Sequence, residues 1–156
     1  MAEVRPLPAR HEERVLRGTV EEIRPTIAWV LDRLPAHDDA TMLDLGLTEA
    51  LTNAVAHGVN GLDGDERDDD YRAWMARLAE APGRDGGLRV TVTVEAGILE
   101  VYLRWAGTPY TQTGPSPLAP EAVRGRGATL IASVFDEVEV DGDGFGLRLR
   151  SALPSC

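Results

Sequence analysis

The sequence predicts an α+β fold, a two-layer sandwich with helices on one face of a mixed, largely antiparallel sheet. Three observations carry that prediction. Apolar residues recur at three- and four-residue spacings in the first third of the chain, short segments alternate with period two in two later pairs, and one apolar helical segment separates those pairs. Helices gathered early and hairpins gathered late form one layer of each kind around a shared core.

Taken in order, residues 1–11 are polar and contain prolines, and read as a flexible end. Arg14 to Val20 has the alternation of a short edge strand. Between Glu21 and Leu34, the residues Ile23, Ile27, Val30, Leu31 and Leu34 lie on one helical face, and Pro35 ends the helix. A second helix is expected to start at Asp38 or Asp39, whose carboxylates suit a helix N-terminus. It runs through Leu43, Leu47, Leu51 and Val55 to a glycine stop at Gly58. The connection that follows carries Tyr71, Trp74, Met75 and Leu78 at i, i+3, i+4 and i+7, the pattern of a further helix. Leu88 to Val94 and Ile98 to Trp105, joined at Ala96-Gly97, read as a hairpin. A Thr-, Pro- and Gly-rich loop from Gly107 to Pro120 leads to an apolar helix at Ala128 to Phe135. Val138 to Val140 and Phe145 to Leu149 complete a second hairpin. The expected organisation is one domain over 12–152, with a helical insertion at about 61–87.

Composition narrows the function classes. With 156 residues and 43% apolar content, the chain can bury a core without disulfides; its single cysteine, Cys156, excludes both an intrachain disulfide and a cysteine-based zinc site. No apolar run approaches the ~20 residues of a membrane span. The opening Met-Ala-Glu-Val-Arg-Pro lacks the apolar stretch of a signal peptide, so the expected location is cytoplasmic. A net charge of -10 opposes non-specific attachment to nucleic acid or to an anionic membrane, which leaves protein partners or a metal-bound ligand. The cluster Asp63, Asp65, Glu66, Asp68, Asp69 and Asp70 reads first as a solvated segment.

Two features bear on chemistry. Glu49, Asn53 and His57 are spaced i, i+4, i+8, so they share one stripe of the second helix. A carboxylate one turn from a carboxamide can position a nucleophile and offer a neutral oxygen to a hard cation such as Mg²⁺. A solvent-facing stripe, with His57 placed by the helix dipole, is the equally weighted structural alternative. Arg124-Gly-Arg-Gly127 precedes an apolar helix, where backbone N–H groups can hold phosphate oxygens; taken alone it is an ordinary helix entry.

Glu49-Ala-Leu-Thr-Asn-Ala-Val-Ala-His-Gly58 resembles the N box of the GHKL-type (Bergerat-fold) ATPases, in the branch of the anti-sigma factors RsbW and SpoIIAB. Gly125-Arg-Gly-Ala-Thr-Leu-Ile131 and Phe135-Asp-Glu-Val-Glu-Val140 are similar to the second glycine box of that branch and the strand after it. The resemblance covers most of residues 12–152. It implies an ATP- and Mg²⁺-binding domain with Glu49 as general base and Asn53 as magnesium ligand. His57, Gly107, Thr108, Gly125, Arg126, Gly127 and Thr129 would then lie around the nucleotide, the glycine turn in a lid. It also implies serine-protein kinase activity on a STAS-type anti-anti-sigma protein, sequestration of a sigma factor, and a possible homodimer.

One position departs from the family. Its first glycine box reads Asp-x-Gly-x-Pro or a close variant, and this chain has Trp105-Ala-Gly-Thr-Pro109. The aspartate accepts the adenine amino proton, whereas an indole offers only a donor and a ring face. The alternative function is therefore a nucleotide-independent partner-switching protein descended from such a kinase. A detached ATPase domain of a histidine kinase is disfavoured, because no phosphoacceptor hairpin is seen before residue 12.

Overall fold

The computed structural model of the protein describes residues 9–34, 40–62, 67, 69–110 and 126–153, the side chains of 126–129 excepted. The strands are β1 (Arg10–Leu16), β2 (Leu88–Glu95), β3 (Ile98–Trp105), β4 (Glu137–Val140) and β5 (Gly146–Ala152). The helices are α1 (Ile23–Leu31), α2 (Ala40–Asn53), α3 (Tyr71–Glu80) and α4 (Arg126–Val134). The sheet order is β1-β2-β3-β5-β4, and each pairing among the described strands is antiparallel, which narrows the mixed sheet expected from sequence.

The expected fold class is present. Val90, Val92, Leu99, Val101, Leu103 and Leu149 point to one face of the sheet and are almost wholly excluded from water. Against them pack Ile27 and Val30 of α1 and Leu43, Leu47, Ala50 and Leu51 of α2. The opposite face is polar. There Glu100 accepts from Arg148 at 3.0 Å and from Arg150 at 2.8 Å, while Arg150 also reaches Glu137 at 3.1 Å. The period-two alternation of the sequence thus separates a dry layer from a charged one.

Boundaries shift where tertiary contacts decide them. β1 begins at Arg10, inside the stretch expected to be loose, because Arg10 and His11 pair with Val94 and Thr93. It stops at Leu16 rather than Val20. Glu22 turns the chain there, its carboxylate accepting from the N–H groups of Gly18 and Thr19 and from the Thr19 hydroxyl, each at 2.9 Å. In the connection after α2, Asp70 caps α3 by accepting from the Ala73 N–H at 3.1 Å, and Trp74 and Leu78 are buried in the core. The helix expected at Tyr71 is therefore present, packed on its own protein. Tyr71 itself is exposed. Asp38 and Asp39 lie outside the described residues.

α2 lies at the centre of the helical layer. A side chain at Gly46 would fall 2.8 Å from Val134 Cγ1 and 2.9 Å from Phe135, so glycine there sets the close approach of α2 and the end of α4. Beyond Asn53 the helix does not stop at Gly58. It widens into a π-helical stretch, Ala54–Val59, in which the Asn60 N–H bonds to the Val55 carbonyl five residues back. The Asn60 carboxamide fixes this end, donating to the carbonyls of Gly18 and Val55 at 2.8 Å each.

Candidate functional site

Glu49 and Asn53 project from successive turns of α2, as their spacing requires. Their oxygens converge on one cation, the guanidinium of Arg67. Its Nη1 donates to Glu49 Oε1 at 2.7 Å and to Asn53 Oδ1 at 3.3 Å, and its Nη2 to Glu49 Oε2 at 3.3 Å. The side chain of Glu49 is 15% exposed and that of Arg67 25%, so the pair is largely withdrawn from solvent screening. On its other side the guanidinium lies 4.9 Å from the ring centroid of Trp74, a cation–π distance. Arg67 is thus seated between a carboxylate and an indole.

The π-helical stretch alters the third member of the predicted stripe. Wider turns rotate less per residue than α turns, so His57 does not continue the even spacing of Glu49 and Asn53. Its Nδ1 bonds to the Leu62 carbonyl. A carbonyl only accepts, so Nδ1 donates in this contact. The His57 ring lies 6.1 Å from that of Trp74, so α3 covers this end of the stripe.

The first glycine box meets the same end of α2 from the sheet side. Thr108 N–H donates to the Gly58 carbonyl at 2.8 Å, and Gly107, at φ +147, lets the backbone pass that carbonyl with no side chain between. Trp105 closes the contact. Its ring rests on Gly58, and its indole N–H donates to the Thr108 carbonyl at 2.9 Å. The single donor of the indole is consumed within its own loop, and the position supplies no acceptor for a base amino group.

The structure therefore brings together Glu49, Asn53 and, at the helix end, His57, Gly107 and Thr108. Gly125 lies outside the described residues. Arg126, Gly127 and Thr129 form the first turns of α4, which begins two residues earlier than the sequence suggested, and their side chains lie outside the description. Of the acidic cluster, Asp63, Asp65, Glu66 and Asp68 also lie outside it. Sequence reasoning missed Arg67. Its one signal was a lone basic residue inside a run of carboxylates, which reads as local charge balance.

The donor set suits a hard cation. A carboxylate and a neutral amide oxygen, one turn apart and already gathered around a positive group, are the ligand types Mg²⁺ takes when it keeps most of its waters.

Comparison with known proteins gives the family and the fold. The histidine kinase-like ATPase domain family matches residues 16–151. No curated protein matches significantly. Among solved structures, the fold is similar to the crystal structure of the RsbU and RsbW domains of Rv1364c from Mycobacterium tuberculosis, with TM-score 0.57 and 17% identity. The match covers 97% of this chain and 34% of that one, so the chain spans about a third of that protein's length. The family match over residues 16–151 shows that the chain belongs to the histidine kinase-like ATPase domain family.

Proposed function

We propose that the protein is an ATP-binding serine-protein kinase of the anti-sigma type. It would phosphorylate a STAS-type antagonist and sequester a sigma factor. The observation that carries this reading is the convergence of Glu49 and Asn53 oxygens on a single cation, beside a glycine loop packed on the end of the same helix.

In this reading Asn53 Oδ1 would hold the Mg²⁺, and Gly107, Thr108 and the segment Gly125-Arg126-Gly127 leading into α4 would line the nucleotide. When bound, the nucleotide supplies the γ-phosphoryl group and Mg²⁺ neutralises its charge. The Glu49 carboxylate takes the proton of the acceptor hydroxyl as that oxygen bonds to phosphorus and ADP departs. Such transfer depends on positioning and charge neutralisation more than on covalent chemistry by the protein. The net charge of -10 favours partners with neutral or basic docking faces, in the cytoplasm, without direct contact to nucleic acid or membrane. A homodimer is part of the same proposal.

A second reading is favoured by Trp105. Built into the contact with Gly58 and lacking an acceptor, it suits a nucleotide-independent switch that keeps the partner surface and has lost transfer. Titration with labelled ATP and Mg²⁺ separates the two: saturable, Mg²⁺-dependent binding is expected of the kinase, and its absence would leave the switch. Bait purification should recover a small STAS-type protein or a sigma factor, and recovery of nucleic acid or lipid alone would overturn both.

A further inference from the structure

We propose that Arg67 is a built-in competitor for the divalent cation, occupying the Glu49–Asn53 subsite and setting the affinity for metal-bound nucleotide; this rests on the nucleotide-binding reading above. Three observations carry it. Arg67 uses the groups that reading assigns to chemistry, both oxygens of Glu49 and the amide oxygen of Asn53, at 2.7 to 3.3 Å. It comes from the connection between α2 and α3, 18 residues along the chain from Glu49, although carboxylates stand beside it in sequence. The seat is also made on the far side, where Trp74, fully buried in the core, presents its ring 4.9 Å from the guanidinium. A rigid aromatic wall and a partly buried carboxylate hold the planar fork in one place, which a solvated surface arginine lacks.

The competition follows from charge and stereochemistry. Asn53 Oδ1 has two lone pairs, and Arg67 takes one of them from the side facing Glu49. A divalent cation placed on that oxygen would stand within a few ångströms of a fixed guanidinium, and the repulsion is little screened at this depth. Binding of metal-bound nucleotide therefore requires Arg67 to leave, and the apparent affinity is reduced by the fraction of molecules in which it has left. Metal-free nucleotide makes no demand on Asn53 Oδ1 and so feels the competition less.

The test is calorimetric titration of the full chain with a non-hydrolysable ATP analogue, with Mg²⁺ and with EDTA, on wild type, Arg67→Gln and Arg67→Lys. Circular dichroism and thermal unfolding establish that each variant is folded. Arg67→Gln is expected to bind the Mg²⁺ complex about tenfold tighter or more, with a smaller gain in EDTA. Arg67→Lys, which keeps the charge and loses the fork, should fall between. Equal affinities in wild type and Arg67→Gln would overturn the competition while leaving nucleotide binding intact. Weaker binding by Arg67→Gln would also overturn it, making Arg67 a helper of the nucleotide. Gains of equal size with Mg²⁺ and EDTA would count against the cation subsite as the point of competition. No binding by any folded variant would overturn both this proposal and the nucleotide-binding reading.

Discussion

The indole of Trp105 rests on the bare Cα of Gly58, so closely that a methyl group there would lie 2.8 Å from two ring carbons. This contact, with the Thr108 N–H bonded to the Gly58 carbonyl, fastens the first glycine box to the end of α2. Gly58→Ala should therefore destabilise the protein. The overlap costs about 1–3 kcal/mol, and the better helix propensity of alanine returns at most about 1 kcal/mol. Chemical denaturation should show a lower midpoint, and adding Trp105→Val should recover part of the loss. A variant as stable as wild type would mean that the ring moves aside freely.

Asn53→Ala removes the neutral oxygen offered to Mg²⁺ from a helix whose buried face it does not contribute to. Nucleotide binding should lose its Mg²⁺ dependence while thermal unfolding changes little. Titration in Mg²⁺ and in EDTA would expose the difference.

Glu49→Gln should leave nucleotide binding intact or tighten it, since it loosens the grip on Arg67, and should slow phosphoryl transfer by about 100-fold or more, the scale of a lost general base. An unchanged single-turnover rate would remove Glu49 from that role.

Trp105→Asp separates two effects. Losing a half-buried ring from the Gly58 contact should lower the melting temperature. Restoring an acceptor should raise ATP affinity by about 5-fold to 150-fold, the range of a hydrogen bond worth ~1–3 kcal/mol. Calorimetry below the melting transition, with and without nucleotide, reads both. An unchanged affinity in folded protein would mean that adenine is not recognised from this position.

On the charged face of the sheet, Arg104 holds the Asp143 carboxyl in a fork at 2.6 and 2.9 Å, and the Phe145 N–H adds a bond at 3.0 Å. First the arginine and then that N–H lower the Asp143 pKa from its ordinary 3.8 to about 2. A carboxyl depressed on folding contributes stability that is present above 3.8 and is lost as pH falls toward about 2. Carboxyl NMR titration should place Asp143 near the lower value, and Arg104→Met should move it back toward the upper one. An Asp143 that titrates at the same pH in both proteins would show that the fork does not form in solution.

Much of the fold was legible before any coordinates. The periodicity of Ile23 to Leu34, the alternation from Leu88 to Trp105 and the turn at Ala96-Gly97 each express a local rule, apolar side chains facing one way at the repeat of the backbone. The same rule placed Glu49 and Asn53 on neighbouring turns, and the order of the two boxes indicated the family. These properties need only the chain's own spacing. Tertiary structure decided the rest. Arg10 and His11 became strand because β2 offered partners, and His57 left the stripe because the helix end widened where Asn60 is tied to Gly18. Trp105 turned from a missing acceptor into the wall of a glycine contact. Above all, nothing in the sequence says that Arg67, flanked by Glu66 and Asp68, pairs with a glutamate 18 residues before it. Charges in sequence carry no address, and pairing is settled only when folding brings one carboxylate and one indole to opposite sides of the same guanidinium.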